Sequence, residues 1–349
     1  MVGYSPAVFY IFAILGLGLL VTVHEAGHMI AARLSGMRVD KFSIFFGPVL
    51  LRWRGKGTVY QLATIPLGGY VQIAGMNPEE KLPEDDPGSY QNKGSLARFF
   101  TIFAGPGVNY LFAFLLMIVV TLAWGIPKST SGVLGIIEGK PAARAGMKAG
   151  DHIVSIGGVA MNDSLDVRKA ISESAGKPLS FVVRRQGKEL PLTIAAEGEG
   201  KSYLIGIKFD TAFQSVPFGE AIAMSFQYPI NASAQMLSGL KKIFTEKGVA
   251  KKVGGPVEII SQMKSQFESG LPAAITFLAM LNVLLGLFNL LPIPALDGGR
   301  LVFIIISMIT RRKINQRVET MVHTVGFYLL FGVLILVTYG DIKRRFFGS

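Results

Sequence analysis

His24-Glu25-Ala26-Gly27-His28 sets two imidazoles four residues apart with a carboxylate beside the first. On a helix such residues share one face, their Cβ atoms about 5–6 Å apart, and so suit two corners of one tetrahedral zinc. A carboxylate next to that metal can take a proton from water and pass it to a leaving amine, which is peptide-bond hydrolysis. Glu25 is therefore the candidate catalytic base and zinc the expected cofactor, one ion per chain. A catalytic zinc needs a third protein ligand and an open fourth position. The other two histidines serve poorly: His152 reads as a strand-start residue and His323 as an interfacial one. Asp297, in Asn289-Leu290-Leu291-Pro292-Ile293-Pro294-Ala295-Leu296-Asp297-Gly298-Gly299, is the only acid between Glu268 and Glu319. It is the candidate third ligand, with an N-cap of a helix starting near Gly298 as the plainer alternative. Asn289 either holds a substrate carbonyl or oxyanion or bonds backbone freed by the prolines.

The elements that carry these residues follow from composition. The chain has 349 residues, no cysteine, 50% hydrophobic and 17% charged residues, against about 25% charged in a soluble domain. Missing cysteines exclude a disulfide scaffold, a thiol nucleophile and a thiolate zinc site. The net charge of +12 lies mainly beside apolar runs, which favours anionic lipid over nucleic acid as the partner. We therefore expect a polytopic α-helical membrane protein of about four spans. Residues 1–41 hold the first span, 99–126 the second, 271–310 a third segment broken at its prolines, and 322–340 the fourth. His24 lies about 30 Å along a helix begun at Tyr4. Ionisable groups at that depth are costly unless paired or ligated, which favours a metal over an idle polar patch. Broken backbone at membrane depth is tolerated only where protein buries it or a wet cavity receives it.

Between the spans the texture changes. Residues 42–76 alternate like a half-buried β ribbon turning at Gly55-Lys56-Gly57, too apolar to stand alone in water and so expected against the membrane face. Residues 77–98 form a linker, 131–210 a small α+β domain, and 217–270 amphipathic helices along the membrane surface, with Lys241, Lys242, Lys247, Lys251 and Lys252. Lys and Arg crowd the loops after the first span, before the second and after the third, which marks them cytoplasmic. The 126–270 segment then lies outside, with the active site near the cytoplasmic face. Lys343, Arg344 and Arg345 fall outside against that rule, outweighed by three loops.

With these motifs in hand, the chain resembles the site-2 proteases, intramembrane zinc metalloproteases, and most closely the bacterial regulator-of-sigma-E type with a PDZ domain. The likeness rests on HEAGH in the first span, Pro66–Val71 in the ribbon, Ala104–Asn109 in the second span, Gly254–Glu258, and the LDG motif in the third. It implies His24, His28 and Asp297 as zinc ligands, Glu25 as general base, and Asn289 as a substrate-binding residue. A second asparagine common in the group, five residues before Asn289, is Leu284 here. Gly132, Val133, Leu134 and Gly135 resemble the carboxylate-binding loop of a PDZ domain, which would receive peptide C-termini. The interval has room for one such domain. The ribbon, with Gly68, Gly69 and Tyr70, offers an edge to which an unwound substrate adds as a strand.

The implied activity is hydrolysis of single-span membrane proteins, such as anti-sigma factors or signal-peptide remnants, in regulated intramembrane proteolysis at a bacterial inner membrane. The rival is a membrane binding protein whose PDZ domain captures C-termini beside a structural or inactive metal site. A metal transporter is weaker, because one HExxH with one Asp offers no relay of sites.

Overall fold

The first apolar run forms one unbroken helix in the computed structural model, which describes residues 6–77, 80, 82–198, 203–246, 254–312 and 314–346. This helix, α1 (Pro6–Leu34), carries the HEAGH box toward its C-terminal end. The chain divides into two units, Met1–Val120 with Gly219–Ser349, and Thr121–Phe218. Among the described residues, four helices are long and apolar enough to cross a membrane: Val8–Leu34, Ser95–Ala123, Leu271–Leu290 and Arg317–Arg344.

In the first unit, α1 leads into a ribbon of strands β1 (Val39–Gly55) and β2 (Thr58–Ile73). Lys56 and Gly57, at φ 50° and 81°, make the two-residue turn that matches strand twist. The ribbon then doubles on itself, because Phe45 and Gly47 take φ 71° and 87° and bend β1. Val39–Ile44 thus pairs with Gly69–Ile73 on one side and with Val59–Leu62 on the other. The Gly69–Ile73 run is an outer strand of the folded sheet, beside α1. Leu50, Leu51 and Trp53 at the ribbon tip are exposed.

Helix α2 (Ser95–Ala123) follows. After the second unit come α5 (Phe218–Thr245) and α6 (Pro256–Glu268); Lys241 and Lys242 lie on α5, whereas Lys247, Lys251 and Lys252 lie outside the described residues. The expected third segment is two helices, α7 (Leu271–Leu290) and α8 (Asp297–Thr310). Pro292 and Pro294 supply no backbone N–H and push the preceding residue out of helical geometry, and Leu291 is extended at ψ 143°. At 14 residues, α8 is too short to cross a bilayer, which takes about 20. Helix α9 (Gln316–Phe346) ends the described chain. The core interlocks these helices: Ala13 and Leu20 of α1 pack with Met263 of α6 and with Phe277 and Leu281 of α7. Ile102 of α2 meets Leu301 and Ile304 of α8.

The second unit is a sheet ordered β7-β6-β4-β3-β8, from β3 (Ile126–Ile136), β4 (His152–Ile156), β6 (Pro178–Arg185), β7 (Lys188–Ala195) and β8 (Ile207–Gln214). Short β5 (Val159–Ala160) pairs with β4, and α3 (Pro141–Arg144) and α4 (Ser164–Glu173) complete it. Asp163 caps α4, accepting from Leu165 N at 2.8 Å and Asp166 N at 3.1 Å. Val133, Ile153, Val167, Phe181 and Ile194 form its core.

Candidate metal centre

The i, i+4 spacing places His24 and His28 on the inward face of α1, both buried, with their Nε2 atoms 3.1 Å apart. Asp297 comes from the other side, as the first residue of α8. Its Oδ2 lies 3.0 Å from His24 Nε2 and 3.3 Å from His28 Nε2. A tetrahedron with metal–ligand bonds of about 2.0–2.1 Å has an edge of about 3.3 Å, so the three atoms fit three of its corners. Asp297 Oδ2 is buried and makes no aligned hydrogen bond. A bare carboxylate oxygen so placed costs several kcal/mol unless a cation meets it, and the donor set therefore fits zinc. Asp297 does not cap α8: the cap position is Leu296, with no side-chain bond. In the first turn, the carboxylate instead gains from the positive end of the helix dipole.

Both imidazoles are gripped from behind by α2. His28 Nδ1 donates to Thr101 O at 2.8 Å, which leaves the Nε2 lone pair facing the other ligands. Asn109, fully buried, meets His24 Nδ1 at 3.2 Å. As placed, its Nδ2 faces that nitrogen and its Oδ1 has no partner; exchanging the two ends of the amide, which have nearly the same shape, would give His24 the tautomer of His28. Between them sits Gly105, where a Cβ would overlap the His28 ring at Nε2. Gly27 lies against Ala104 O with no room for a Cβ either, so the two helices touch backbone to backbone. Gly105 and Asn109 fall inside the Ala104–Asn109 stretch of the likeness, which gave them no role, and Thr101 lies outside it; their spacing of four marks one face of α2.

Glu25 Oε2 accepts from Val71 N at 3.1 Å, so the outer strand of the ribbon touches the candidate base directly. A cavity of about 1080 Å³ opens here, lined by His24, Glu25, Tyr70, Asn289 and Asp297 among others. One N–H of Asn289, on the cavity wall, donates to Leu285 O at 3.0 Å. Tyr70 OH accepts from Gln61 Nε2 at 3.0 Å. Gly69 pairs with Ile44, and Gly68, at φ 142°, lies under the Phe46 ring. Tyr90, also on the wall, has its hydroxyl pushed up to about 12 by burial and stays neutral.

Gly132, Val133, Leu134 and Gly135 lie within strand β3 rather than in a loop. Val133 is buried, Leu134 exposed, and the β3–β8 register shifts between Ser129 and Val133. His152 opens β4, with both ring nitrogens 3.4 Å from Ser131 Oγ. His323 does more than an interfacial residue would, since its Nδ1 accepts from Ala295 N at 2.8 Å.

Residues 12–333 match the model of peptidase family M50. The chain is 34% identical over 339 residues to a "putative zinc metalloprotease" of Clostridium acetobutylicum, covering 95% of this chain and 96% of that one. A protein of the same description in Clostridium perfringens is 33% identical, covering 96% and 98%. The "probable protease" eep of Enterococcus faecalis is 28% identical, covering 95% and 97%.

Proposed function

The chain belongs to peptidase family M50, the site-2 proteases, and from that premise we propose that it hydrolyses peptide bonds within single-span membrane proteins. It is a multi-pass membrane protein and a zinc metalloprotease. The reading of the site is that His24 Nε2, His28 Nε2 and Asp297 Oδ2 hold the zinc. The observation carrying it is the convergence of these three buried atoms at the cavity wall beside Glu25. Zinc, when bound, polarises the scissile carbonyl and lowers the pKa of the attacking water to about 7.

The chain's own residues do the rest. Glu25 takes the proton from the attacking water and delivers it to the leaving amine. Thr101 and Asn109 hold the imidazoles in the tautomer that presents Nε2. A helical substrate hides its carbonyls in its own hydrogen bonds, so it must unwind first. The Gly69–Ile73 strand, with Gly68 and Tyr70 beside it, receives the unwound segment as an added strand, and Asn289 steadies its backbone. Val71 N–H, which points at Glu25 in this structure, lies where such a strand would arrive. The Thr121–Phe218 unit acts as a single PDZ domain that takes peptide C-termini near Gly132–Gly135, on the outer side of a bacterial inner membrane. The metal site faces the cytoplasmic side, and the substrates are anti-sigma factors or signal-peptide remnants already trimmed outside.

The test is cleavage of a single-span substrate lacking its outer domain, by purified protein and by Glu25→Gln. Parent activity that a chelator abolishes, with a loss of about a hundred- to ten-thousandfold in the variant, is the expected result. Equal cleavage by both would refute the role of Glu25.

A further inference from the structure

The loop that delivers Asp297 is held partly from outside itself. Between α7 and α8 the chain runs through Pro292 and Pro294, which carry no N–H, to Ala295, whose φ of 75° is left-handed backbone that an L side chain avoids. Its internal bonds are few: Ile293 N donates to Leu291 O at 2.7 Å and Leu296 N to Ile293 O at 3.2 Å. The N–H of Ala295 leaves the loop altogether and donates to His323 Nδ1 of α9 at 2.8 Å. One helical turn further along α9, Gly326 is pressed against Pro294, where a Cβ would overlap the proline ring. Positions three apart share a helix face. One face of α9 therefore grips the two consecutive residues that stand three and two places before Asp297.

The far end of α9 is anchored as well. Asp341 Oδ2 accepts from Gly255 N at 2.8 Å and Glu258 N at 3.3 Å at the start of α6. Met263 of α6 packs on Ala13 and Leu20 of α1, the helix that bears His24 and His28. Along most of its length α9 is otherwise exposed. A helix fixed at these two places links the loop of the third ligand to the packing of the other two.

We propose that α9 is a positioning strut for the metal centre, with His323 and Gly326 as positioning residues that set where Asp297 meets His24 and His28. Neither residue touches the reacting atoms; both act through Pro294 and Ala295. The inference rests on Asp297 being a ligand. A purely structural role for His323 would lower thermal stability without changing metal affinity, whereas a positioning role moves the affinity itself. The hydrogen bond needs only an acceptor, so glutamine, whose amide oxygen can accept from Ala295 N, should stand in for histidine.

The experiment uses the full chain in detergent and reads the zinc dissociation constant by chelator competition, alongside the melting temperature of the zinc-free protein. His323→Ala and Gly326→Ala are expected to weaken zinc about tenfold or more, the usual scale for a group supporting a ligand. His323→Gln should return to within about threefold of the parent on the same scale, with its zinc-free melting matching the parent's. Asp297→Asn is the control for the premise. Parent-like zinc binding in His323→Ala and Gly326→Ala, with Asp297→Asn impaired, would overturn the strut alone. Equal loss in His323→Ala and His323→Gln would overturn the acceptor role. Parent-like binding in Asp297→Asn would remove the ligand assignment, and the strut with it.

Discussion

The two units differ in how completely they satisfy their buried polar groups. In the Thr121–Phe218 unit, buried Asp151 accepts from Arg185 Nε at 2.6 Å, Arg185 Nη2 at 2.7 Å and Lys148 N at 2.8 Å. Among the described residues, every buried polar side-chain atom without a partner belongs to the membrane unit. Arg98 Nε, Asp297 Oδ2 and His323 Nε2 belong to residues lining the large cavity, and Asn109 Oδ1 belongs to the residue behind His24. Buried polar atoms are normally satisfied, and the exceptions call for a reason. Gln61 Oε1 and Asn282 Oδ1, away from the cavity lining, complete the set, so most but not all of the open atoms gather around the candidate metal centre.

The sharpest way to break this contrast is to fill the open site with one methyl group. Gly105→Ala places a Cβ against His28 Nε2 and the His24 ring. The expected outcome is zinc binding weaker by about a hundredfold or more, with proteolysis falling alongside it. Far-UV circular dichroism should stay close to that of the parent, because the surrounding helices are long and mostly packed elsewhere. Zinc content by atomic absorption decides it. A variant that retains a full equivalent of zinc would mean that α2 does not sit on the metal side of α1.

What could be read in the sequence was local. HEAGH needs only helical spacing, and four apolar runs need only length. The broken third run made Asp297 a candidate, since a lone acid among prolines has few uses at membrane depth. Three things were hidden. The bond from Val71 N to Glu25 arises because the ribbon doubles back at Phe45 and Gly47, and a backbone N–H has no letter in a sequence. His323 looked idle because its partner is the backbone of a residue 28 positions away. The Gly132–Gly135 stretch resembles a carboxylate-binding loop in sequence, yet pairing with β8 on one side and His152 on the other draws it into a strand.

A milder test keeps the site open and changes only what stands behind it. Asn109→Leu conserves volume but gives His24 Nδ1 no acceptor. The ring is then free to carry its hydrogen on Nε2 and must pay to present a lone pair there. Zinc should bind about ten- to a hundredfold more weakly in chelator titration, with proteolysis recovered at high zinc. Unchanged affinity would show that the open oxygen of Asn109 serves packing and not the metal.

The smallest effect on the metal should come from the satisfied side of the comparison. Burial alone would raise the Asp151 carboxyl, but the Arg185 guanidinium and the Lys148 N–H outweigh it and hold it below the ordinary carboxylate value. A pKa lower in the folded state than in the unfolded one contributes stability that is fully present above the unfolded value, about 3.9. That stability drains away as pH falls through the folded value. Asp151→Asn removes the charge that makes this difference. The unit should then lose about 2 kcal/mol at pH 7, the scale of hydrogen bonds to a charged group, and its stability should fall less steeply below about pH 4. Thermal unfolding followed across pH 3–7 reads both. Zinc affinity should match the parent at pH 7, because no ligand or supporting group has changed. If zinc weakens with Asp151→Asn while the melting curve barely moves, polar pairing in this unit serves the metal site after all, and the division of labour between the two units fails.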